Sequence, residues 1–203
     1  YGETFYLDKN SLIPRQDTEL IIDLVIKQFD KESKLNILDL GTGSGVIGIT
    51  LSKLYPNSII TISDISSKAL NVANKNIKKH NVTNIRSLES DWFDNFKEKE
   101  LFDLILTNPP YISKNDVHLN NLELGYEPLN ALVSSNDGFA DIFKIIDTSP
   151  KFLNSEGLLM IEHGHTQGDR VKNYFQQKFF NNIKQHRDIN QKIRVTTASK
   201  IKV

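Results

Sequence analysis

Short apolar segments typical of buried β-strands alternate along this chain with segments whose apolar residues recur at helical spacing. Strands of this kind, packed between helices, form parallel sheets with both faces covered. The pattern therefore predicts an α/β fold with a doubly wound, Rossmann-like sheet, mostly parallel with an antiparallel closing strand, whose ligands bind beyond the carboxyl ends of the strands. The predicted strands are residues 35–40, 58–63, 85–88, 102–107, 158–162, 183–187 and 194–199.

The segments beside these strands have the apolar spacing of amphipathic helices. Ser66 is placed to cap the third helix, and Pro150 should disturb the end of the fourth. Residues 4–13 are predicted as a hairpin, so residues 1–30 form an N-terminal hairpin and helix that leads into a domain of residues 31–203. The predicted helices are residues 17–29, 46–54, 66–79, 141–152 and 170–179.

Composition excludes several classes of protein. The chain has 203 residues with 25 Lys+Arg, 25 Asp+Glu and no Cys. The absence of cysteine rules out disulfides and thiolate metal sites, and the neutral charge balance gives no global attraction to nucleic acid. No apolar segment reaches the roughly 20 residues of a membrane helix, and no signal peptide opens the chain. These features predict a cytoplasmic enzyme without membrane contact.

A glycine-rich turn follows the first predicted strand and opens the next helix. Glycine permits positive φ and lets a ligand approach bare backbone, and the helix start presents free N–H groups. The spacing of Gly43, Gly45 and Gly48 also matches the dinucleotide fingerprint, and such turns also serve packing alone. The candidate cofactor contacts in this turn are Gly41, Thr42, Gly43, Ser44 and Gly45.

Acidic residues beside this turn indicate which nucleoside binds. Asp39 suits the sulfonium and ammonium groups of S-adenosylmethionine and would repel a pyrophosphate, although it can instead cap backbone amides of the loop. Asp64 ends the second strand, where a carboxylate accepts from ribose hydroxyls or caps the following helix. Asp91 and Trp92 follow the third strand and can hold the amino group and ring face of adenine, although Trp92 can also be a core aromatic.

The most specific motif is Asn108-Pro109-Pro110-Tyr111, directly after the fourth strand. The prolines fix φ and remove two backbone donors, which leaves carbonyls free to accept. An amide or aromatic amino nitrogen is a poor nucleophile because its lone pair is delocalised. The Asn108 side-chain oxygen and the Pro109 carbonyl would accept its two hydrogens and direct the lone pair at a methyl group, while Tyr111 offers a ring face. These four catalytic candidates predict methylation of a planar NH₂ group.

Together these motifs resemble the bacterial protein-(glutamine) methyltransferases that modify the Gly-Gly-Gln loop of peptide chain release factors. The resemblance implies a class I S-adenosylmethionine-dependent methyltransferase, with residues 31–203 as its catalytic domain. It implies that residues 41–45, Asp64, Trp92 and Asn108 contact the cofactor and that residues 108–111 hold the target glutamine. The motifs that carry it are residues 12–19, 37–45, 90–93, 108–112, 126–129, 137–138, 162–164 and 194–196.

The chain departs from the usual pattern of this family in two respects. Gln16 replaces the proline that is usual in the family, which should loosen the turn before the first helix. Family members also carry a small helical domain ahead of this region that grips the release factor. We expect that domain to be absent, in agreement with the start at Tyr1.

Other functions and residue roles stay open from the residues alone. The clamp at residues 108–111 also suits the adenine amino group of DNA or RNA, which would require base flipping. A ribosomal-protein glutamine is a second alternative, and a nicotinamide dehydrogenase or a non-catalytic nucleotide-binding module is a third. Arg15 could reach the cofactor or brace its loop, and Glu127 could line the substrate mouth. His163 and His165 are expected to be structural, and no metal is expected.

Overall fold

The computed structural model describes residues 1–8, 18–116 and 128–202. Its helices are α1 (Glu19–Gln28), α2 (Val46–Leu54), α3 (Ser67–His80), α4 (Leu129–Leu132), α5 (Ser135–Gly138), α6 (Ala140–Thr148) and α7 (Gly168–Gln176). Its strands are β1 (Asn36–Leu40), β2 (Ile59–Asp64), β3 (Ile85–Glu89), β4 (Phe102–Thr107), β5 (Ile112–Ser113), β6 (Val133–Ser134), β7 (Leu153–Glu162), β8 (Phe180–Arg187) and β9 (Ile193–Lys200). None of the described helices has the length and apolar character that crossing a membrane requires.

Seven of the described strands form one sheet in the order β3-β2-β1-β4-β7-β9-β8. The pairs β2–β3, β1–β2, β1–β4 and β4–β7 are parallel, whereas β9 runs antiparallel to both β7 and β8. This confirms the predicted doubly wound sheet with an antiparallel strand near its closing edge. The strand order reverses between β1 and β4, which is where such folds bind ligands.

Alternate side chains of the sheet bury into two cores, one on each face. In β4, Ile105 belongs to one core, and Leu104 and Leu106 belong to the other. The first core is closed by α6 and α7, and the second by α1, α2 and α3. Because helix α1 contributes four buried residues, of which Ile21 and Val25 are fully buried, it is part of the same packed unit as the sheet.

Most predicted elements match the observed ones, including the bounds of α2 and β4. The Ser66 side chain caps α3 by accepting from the Ala69 N–H at 3.2 Å. Helix α6 ends at Thr148 and passes into a 3₁₀ turn that contains Pro150, as predicted. Strand β7 begins five residues earlier than predicted, at Leu153, because Leu153 already pairs with Phe102. The register then shifts between this pair and the pair of Leu158 with Leu104.

The predicted N-terminal hairpin is wrong over the part that the structure describes. Residues 1–8 contain no strand, and residues 9–13 lie outside the described residues. The Tyr6 backbone pairs instead with a side chain, since Asn76 on α3 accepts from its N–H at 2.7 Å and donates to its carbonyl at 3.0 Å. The N-terminal segment is therefore tied to a helix.

Gly48 allows α2 to approach the sheet closely. A Cβ at this position would lie 2.3 Å from Cγ2 of Ile62 and 3.1 Å from Oδ2 of Asp39. The Gly48 N–H donates to that same Asp39 oxygen at 2.9 Å. The third glycine of the fingerprint spacing therefore serves packing between helix and sheet.

We expect Gly48→Ala to lower the free energy of unfolding by about 1–3 kcal/mol, because the added methyl overlaps Ile62 in a close-packed core. Urea unfolding of four proteins measures this: the wild type, each single variant and the double variant Gly48→Ala/Ile62→Ala. The Ile62→Ala change removes the overlapping methyl, so Gly48→Ala should cost much less in that background. Equal costs in both backgrounds would contradict the packing explanation.

Candidate active site

The candidate site lies where the carboxyl ends of β1 and β4 meet. Leu40 pairs with Thr107 in the parallel register, and the Thr107 hydroxyl donates to the Leu40 carbonyl at 2.6 Å. The next residues along the two strands are Gly41 and Asn108. The register therefore places the start of the glycine turn beside the start of the Asn-Pro-Pro-Tyr motif.

The glycine turn is held against the end of β2. The N–H groups of Gly41 and Thr42 both donate to the Ser63 carbonyl at 2.8 Å. Gly41, Gly43 and Gly45 all have positive φ, at 74°, 57° and 85°. Side chains other than glycine adopt such backbone poorly, so these three residues set the shape of the turn.

The three glycines face different surroundings. A Cβ on Gly41 would lie 3.2 Å from the Trp92 ring, and a Cβ on Gly45 would lie 3.1 Å from Cβ of Ala73. A Cβ on Gly43 would meet no described atom within 4 Å. Gly41 and Gly45 are thus required for packing, whereas Gly43 presents bare backbone to open space.

Asp39 is buried beneath the glycine turn and joins the turn to helix α2. It is 1% exposed, and its Oδ2 accepts from the Thr42 hydroxyl at 2.6 Å and from the Gly48 N–H at 2.9 Å. Burial raises the pKa of this carboxyl to about 6, against the opposing effect of these two hydrogen bonds. Of the two roles open to Asp39, capping of the loop is the one that the contacts display.

Asp64 connects the glycine turn to α3. Its Oδ2 accepts from the Gly43 N–H and its Oδ1 accepts from the Ser66 N–H, both at 2.9 Å. Burial raises the pKa of Asp64, and the two hydrogen bonds act to lower it. An ionised carboxylate has about four acceptor positions, so each oxygen can still accept from a ligand hydroxyl.

The two predicted adenine contacts are placed differently from one another. Trp92 packs beside Gly41 and against the first core, and its indole N–H donates to Asp141 on α6 at 3.1 Å. This bond fixes the ring next to the turn. Asp91 is exposed, and its carboxylate pairs with Lys144 of α6 at 3.1 Å. The structure therefore brings Trp92 to the glycine turn but directs the Asp91 carboxylate to a surface ion pair.

Asn108 is oriented through its amide nitrogen, which donates to the Thr18 hydroxyl at 3.3 Å. Within the described residues, no donor is bonded to the Asn108 Oδ1 or to the carbonyl of Pro109. Pro109 is buried, whereas Asn108 and Pro110 are partly exposed. Among the described residues, these two oxygens at the end of β4 are therefore not taken up by protein donors.

Tyr111 is held at both its side chain and its backbone. Its hydroxyl donates to buried Glu162 at 3.3 Å, and its carbonyl accepts from the Gln167 side chain at 3.0 Å. The Gln167 Oε1 in turn accepts from the Gly164 N–H at 2.8 Å. Gly138 also packs against Tyr111, because a Cβ there would lie 2.1 Å from the Tyr111 carbonyl oxygen. Distant motifs therefore converge on Tyr111.

Sequence reasoning missed two buried amides that brace the site. Asn76 is fully buried, and its nitrogen donates to the Ser44 carbonyl of the glycine turn at 2.9 Å. Gln167, 7% exposed, spans the gap between Tyr111 and Gly164. Asn76 could have been found from its sequence, since it lies on the otherwise apolar face of α3. Gln167 carries no comparable signal.

The remaining candidates are two described histidines, His163 and the exposed His165, and two residues that are not described. His163 is fully buried, and its ring contacts the Gly164 carbonyl at 3.0 Å and the Thr196 hydroxyl at 2.8 Å. Burial lowers its pKa, so the ring is neutral with Nδ1 as donor and Nε2 as acceptor. These bonds give His163 a structural role. Arg15 and Glu127 lie outside the described residues.

Within the described residues, no group of three or more acidic, histidine or cysteine side chains is arranged to hold a metal ion. A shallow cavity of about 300 Å³ lies at the opposite, amino end of β1, β4 and β7, where Lys34, Asp103 and Glu156 line it. It contains none of the predicted site residues. The predicted site residues that the structure describes lie instead at the carboxyl edge of the sheet.

The raised pKa of Asp39 predicts a pH-dependent stability. The folded state holds the proton more tightly than the unfolded chain, whose aspartates titrate near pH 4. The stability that Asp39 contributes is present below pH 4 and is lost as pH rises through about 6. Asp39→Asn mimics the protonated form at every pH. As pH rises through this window, the difference in free energy of unfolding between Asp39→Asn and wild type should therefore shift in favour of the variant by on the order of 2–3 kcal/mol.

Urea unfolding at intervals from pH 4 to pH 7.5 measures the Asp39 effect. Asp94→Asn, a change at an exposed carboxylate outside the turn, is the matched control. A constant stability difference between Asp39→Asn and wild type across this range would show that the Asp39 pKa is not raised.

Known proteins resemble this chain in sequence and in fold. The model of the methyltransferase small domain family matches residues 18–124. The fold is shared with the 16S rRNA N2 G1207 methyltransferase of T. thermophilus, solved in complex with AdoMet and guanosine. The TM-score is 0.70 at 16% identity, over 93% of this chain and 44% of that one.

Two curated relatives are much closer in sequence. The release factor glutamine methyltransferase of Francisella tularensis is 39% identical, over 98% of this chain and 70% of that protein. The protein of the same name from Escherichia coli is 37% identical, over 94% of this chain and 68% of that protein. With this identity over nearly its whole length, the chain belongs to the release factor glutamine methyltransferase family.

Proposed function

We propose that this protein transfers a methyl group from S-adenosylmethionine to the side-chain amide nitrogen of the glutamine in the Gly-Gly-Gln motif of peptide chain release factors. One observation carries the proposal: two acceptors that bond to no donor among the described residues, the Asn108 Oδ1 and the Pro109 carbonyl, lie at the strand end beside a glycine turn with bare backbone. A primary amide has two N–H donors, so two acceptors match it.

The described residues fit S-adenosylmethionine. Gly43 leaves open space where a side chain would otherwise block a ligand. Asp64, at the end of β2, has acceptor capacity left for ribose hydroxyls after its two backbone bonds. Trp92 fixes an aromatic ring at the edge of the turn, next to Gly41. Residues 41–45, Asp64, Trp92 and Asn108 would hold the cofactor.

When bound, S-adenosylmethionine supplies an electrophilic methyl group on a positively charged sulfur. The amide nitrogen of glutamine is a weak nucleophile because its lone pair is shared with the carbonyl. By accepting both hydrogens, Asn108 and Pro109 fix the plane of the amide and increase the electron density on nitrogen. This is catalysis by positioning and by preorganised dipoles. As the bond between nitrogen and the methyl carbon forms, the bond from that carbon to sulfur would break and leave a neutral thioether, and the nitrogen would release one proton to solvent.

Tyr111 would supply the flat wall against which the glutamine amide lies. Its ring packs partly into the first core, and its hydroxyl is bonded to Glu162, so it presents a fixed face. The prolines between Asn108 and Tyr111 restrict the backbone that joins acceptor and wall. The family relationship favours a release factor glutamine over an adenine or a ribosomal protein as the target. The enzyme would act in the cytoplasm, where release factors work.

The direct test is mass spectrometry of a release factor incubated with this protein and S-adenosylmethionine carrying a labelled methyl. We expect one labelled methyl on the glutamine of Gly-Gly-Gln. Asn108→Ala should reduce turnover at saturating cofactor by about 100-fold or more, as expected for loss of one preorganised polar group. Cofactor affinity should change much less.

The matched control for Asn108→Ala is Asn57→Ala, which removes an exposed asparagine that bonds only to Glu32 in the described residues. It should leave turnover unchanged. Label on another residue of the release factor would refute the proposed substrate. Turnover of Asn108→Ala within a few-fold of wild type would refute the clamp.

The role of Asp64 is tested with two ligands, S-adenosylhomocysteine and an analogue that lacks both ribose hydroxyls. In wild type, removing the hydroxyls should weaken binding by about 10- to 100-fold, the value of charge-assisted hydrogen bonds. In Asp64→Ala the same change should have little effect, because the acceptor is gone. Calorimetry with both ligands on both proteins gives the coupling. Equal losses of affinity in the two proteins would show that Asp64 does not bind the ribose hydroxyls and makes only its two backbone bonds.

A further inference from the structure

Thr18 occupies the N-terminal position of α1 but does not cap that helix. Threonine at this position commonly accepts from the backbone two or three residues ahead. Here the Thr18 backbone is already helical, and its side chain makes no capping hydrogen bond. Its hydroxyl accepts instead from the amide nitrogen of Asn108, 90 residues away in sequence. A group suited to stabilise its own helix is therefore engaged at the candidate active site.

The position of this hydroxyl is fixed by the packing of α1. Thr18 itself is 7% exposed, and directly after it Ile21, Ile22 and Val25 are at most 1% exposed in the second core. These side chains anchor the first turns of the helix against α2 and the sheet. Thr18 cannot move away from Asn108 without disturbing that packing.

An asparagine amide needs such a partner because its two ends have nearly the same shape and opposite hydrogen-bonding character. Rotation by half a turn about the last side-chain bond replaces the acceptor Oδ1 by the donor Nδ2. Facing a glutamine NH₂, that rotated amide would oppose donors to donors. When the substrate donates to Oδ1, the Nδ2 of Asn108 still requires an acceptor, and the Thr18 oxygen at 3.3 Å provides it. Because a hydroxyl can also donate, the two donors of the substrate NH₂ select which end of the amide faces them, and Thr18 keeps the amide fully bonded and fixed in that orientation.

We propose that Thr18 is a positioning residue for methyl transfer, which holds the Asn108 amide so that its oxygen faces the substrate nitrogen. The inference rests on the proposed function, since it requires that Asn108 accepts from the target amide. Thr18 acts through Asn108 and does not itself contact the glutamine. It couples the helix before β1 to the motif after β4.

Thr18→Val tests the proposal, because valine keeps the shape of threonine and removes the hydroxyl. Turnover at saturating cofactor and Gly-Gly-Gln peptide should fall about 10-fold, the value of one hydrogen bond to a group that is otherwise left unpaired. Affinity for S-adenosylhomocysteine should stay within about two-fold, which corresponds to less than about 0.5 kcal/mol of binding free energy. Thr18→Ser restores the hydroxyl and should recover most of the turnover.

Two further measurements separate positioning from structure. In the Asn108→Ala background, Thr18→Val should cost nothing more, because the amide that it orients is absent. The side-chain NH₂ signal of Asn108 in a ¹⁵N spectrum should shift in Thr18→Val and return in Thr18→Ser. Thr50→Val, at another buried threonine on α2, is the matched control and should leave turnover unchanged.

The outcomes distinguish a failure of the Thr18 proposal from a failure of the proposed function. If Asn108→Ala is fully active, the clamp itself fails. If Asn108→Ala is inactive and Thr18→Val retains wild-type turnover, only the role of Thr18 is overturned. Loss of cofactor affinity in Thr18→Val with turnover unchanged would make Thr18 a cofactor contact. Failure of Thr18→Ser to recover activity would assign the effect to packing.

Discussion

The parallel pairing of β1 with β4 is the constraint on which the site depends. Its register sets Leu40 opposite Thr107, and the hydroxyl bond between these residues fastens the two strand ends. Both strands end at the same edge of the sheet, where β1 leads into the glycine turn and β4 leads into Asn108. Antiparallel strands would send these segments to opposite edges. The glycine turn and residues 108–111 are neighbours because of the topology.

Loops of this shape need support, since they contain positive φ angles and carbonyls outside regular structure. Three buried polar side chains supply it, each by bonding to two different groups. Asp39 joins Thr42 to Gly48, Asn76 joins Ser44 to Tyr6, and Gln167 joins Tyr111 to Gly164. Buried polar groups with full sets of partners rigidify their surroundings. The shape of the loops at the carboxyl edge of the sheet is thus held by buried polar contacts.

The sequence predicted the sheet well because burial leaves a periodic signal. Helix α2 and strand β4 have the predicted bounds since a continuous apolar pattern begins and ends at glycine, proline or polar residues. It predicted the wrong structure for residues 4–8, where the Tyr6 backbone bonds to the Asn76 side chain, a contact that leaves no local pattern. Asp91 was expected to face adenine, yet its carboxylate meets Lys144, which depends on how α6 docks. The pairing of Thr18 with Asn108 is likewise set by tertiary packing alone.

The central claim is that the target amide is bound by the Asn108 Oδ1 and the Pro109 carbonyl together. A crystal structure of the protein with S-adenosylhomocysteine and a Gly-Gly-Gln peptide tests it most directly. The account predicts that the glutamine nitrogen lies about 2.7–3.2 Å from both oxygens, with the Asn108 nitrogen still bonded to Thr18. A glutamine nitrogen bonded elsewhere, or an Asn108 amide turned to face it with its NH₂, would contradict the account.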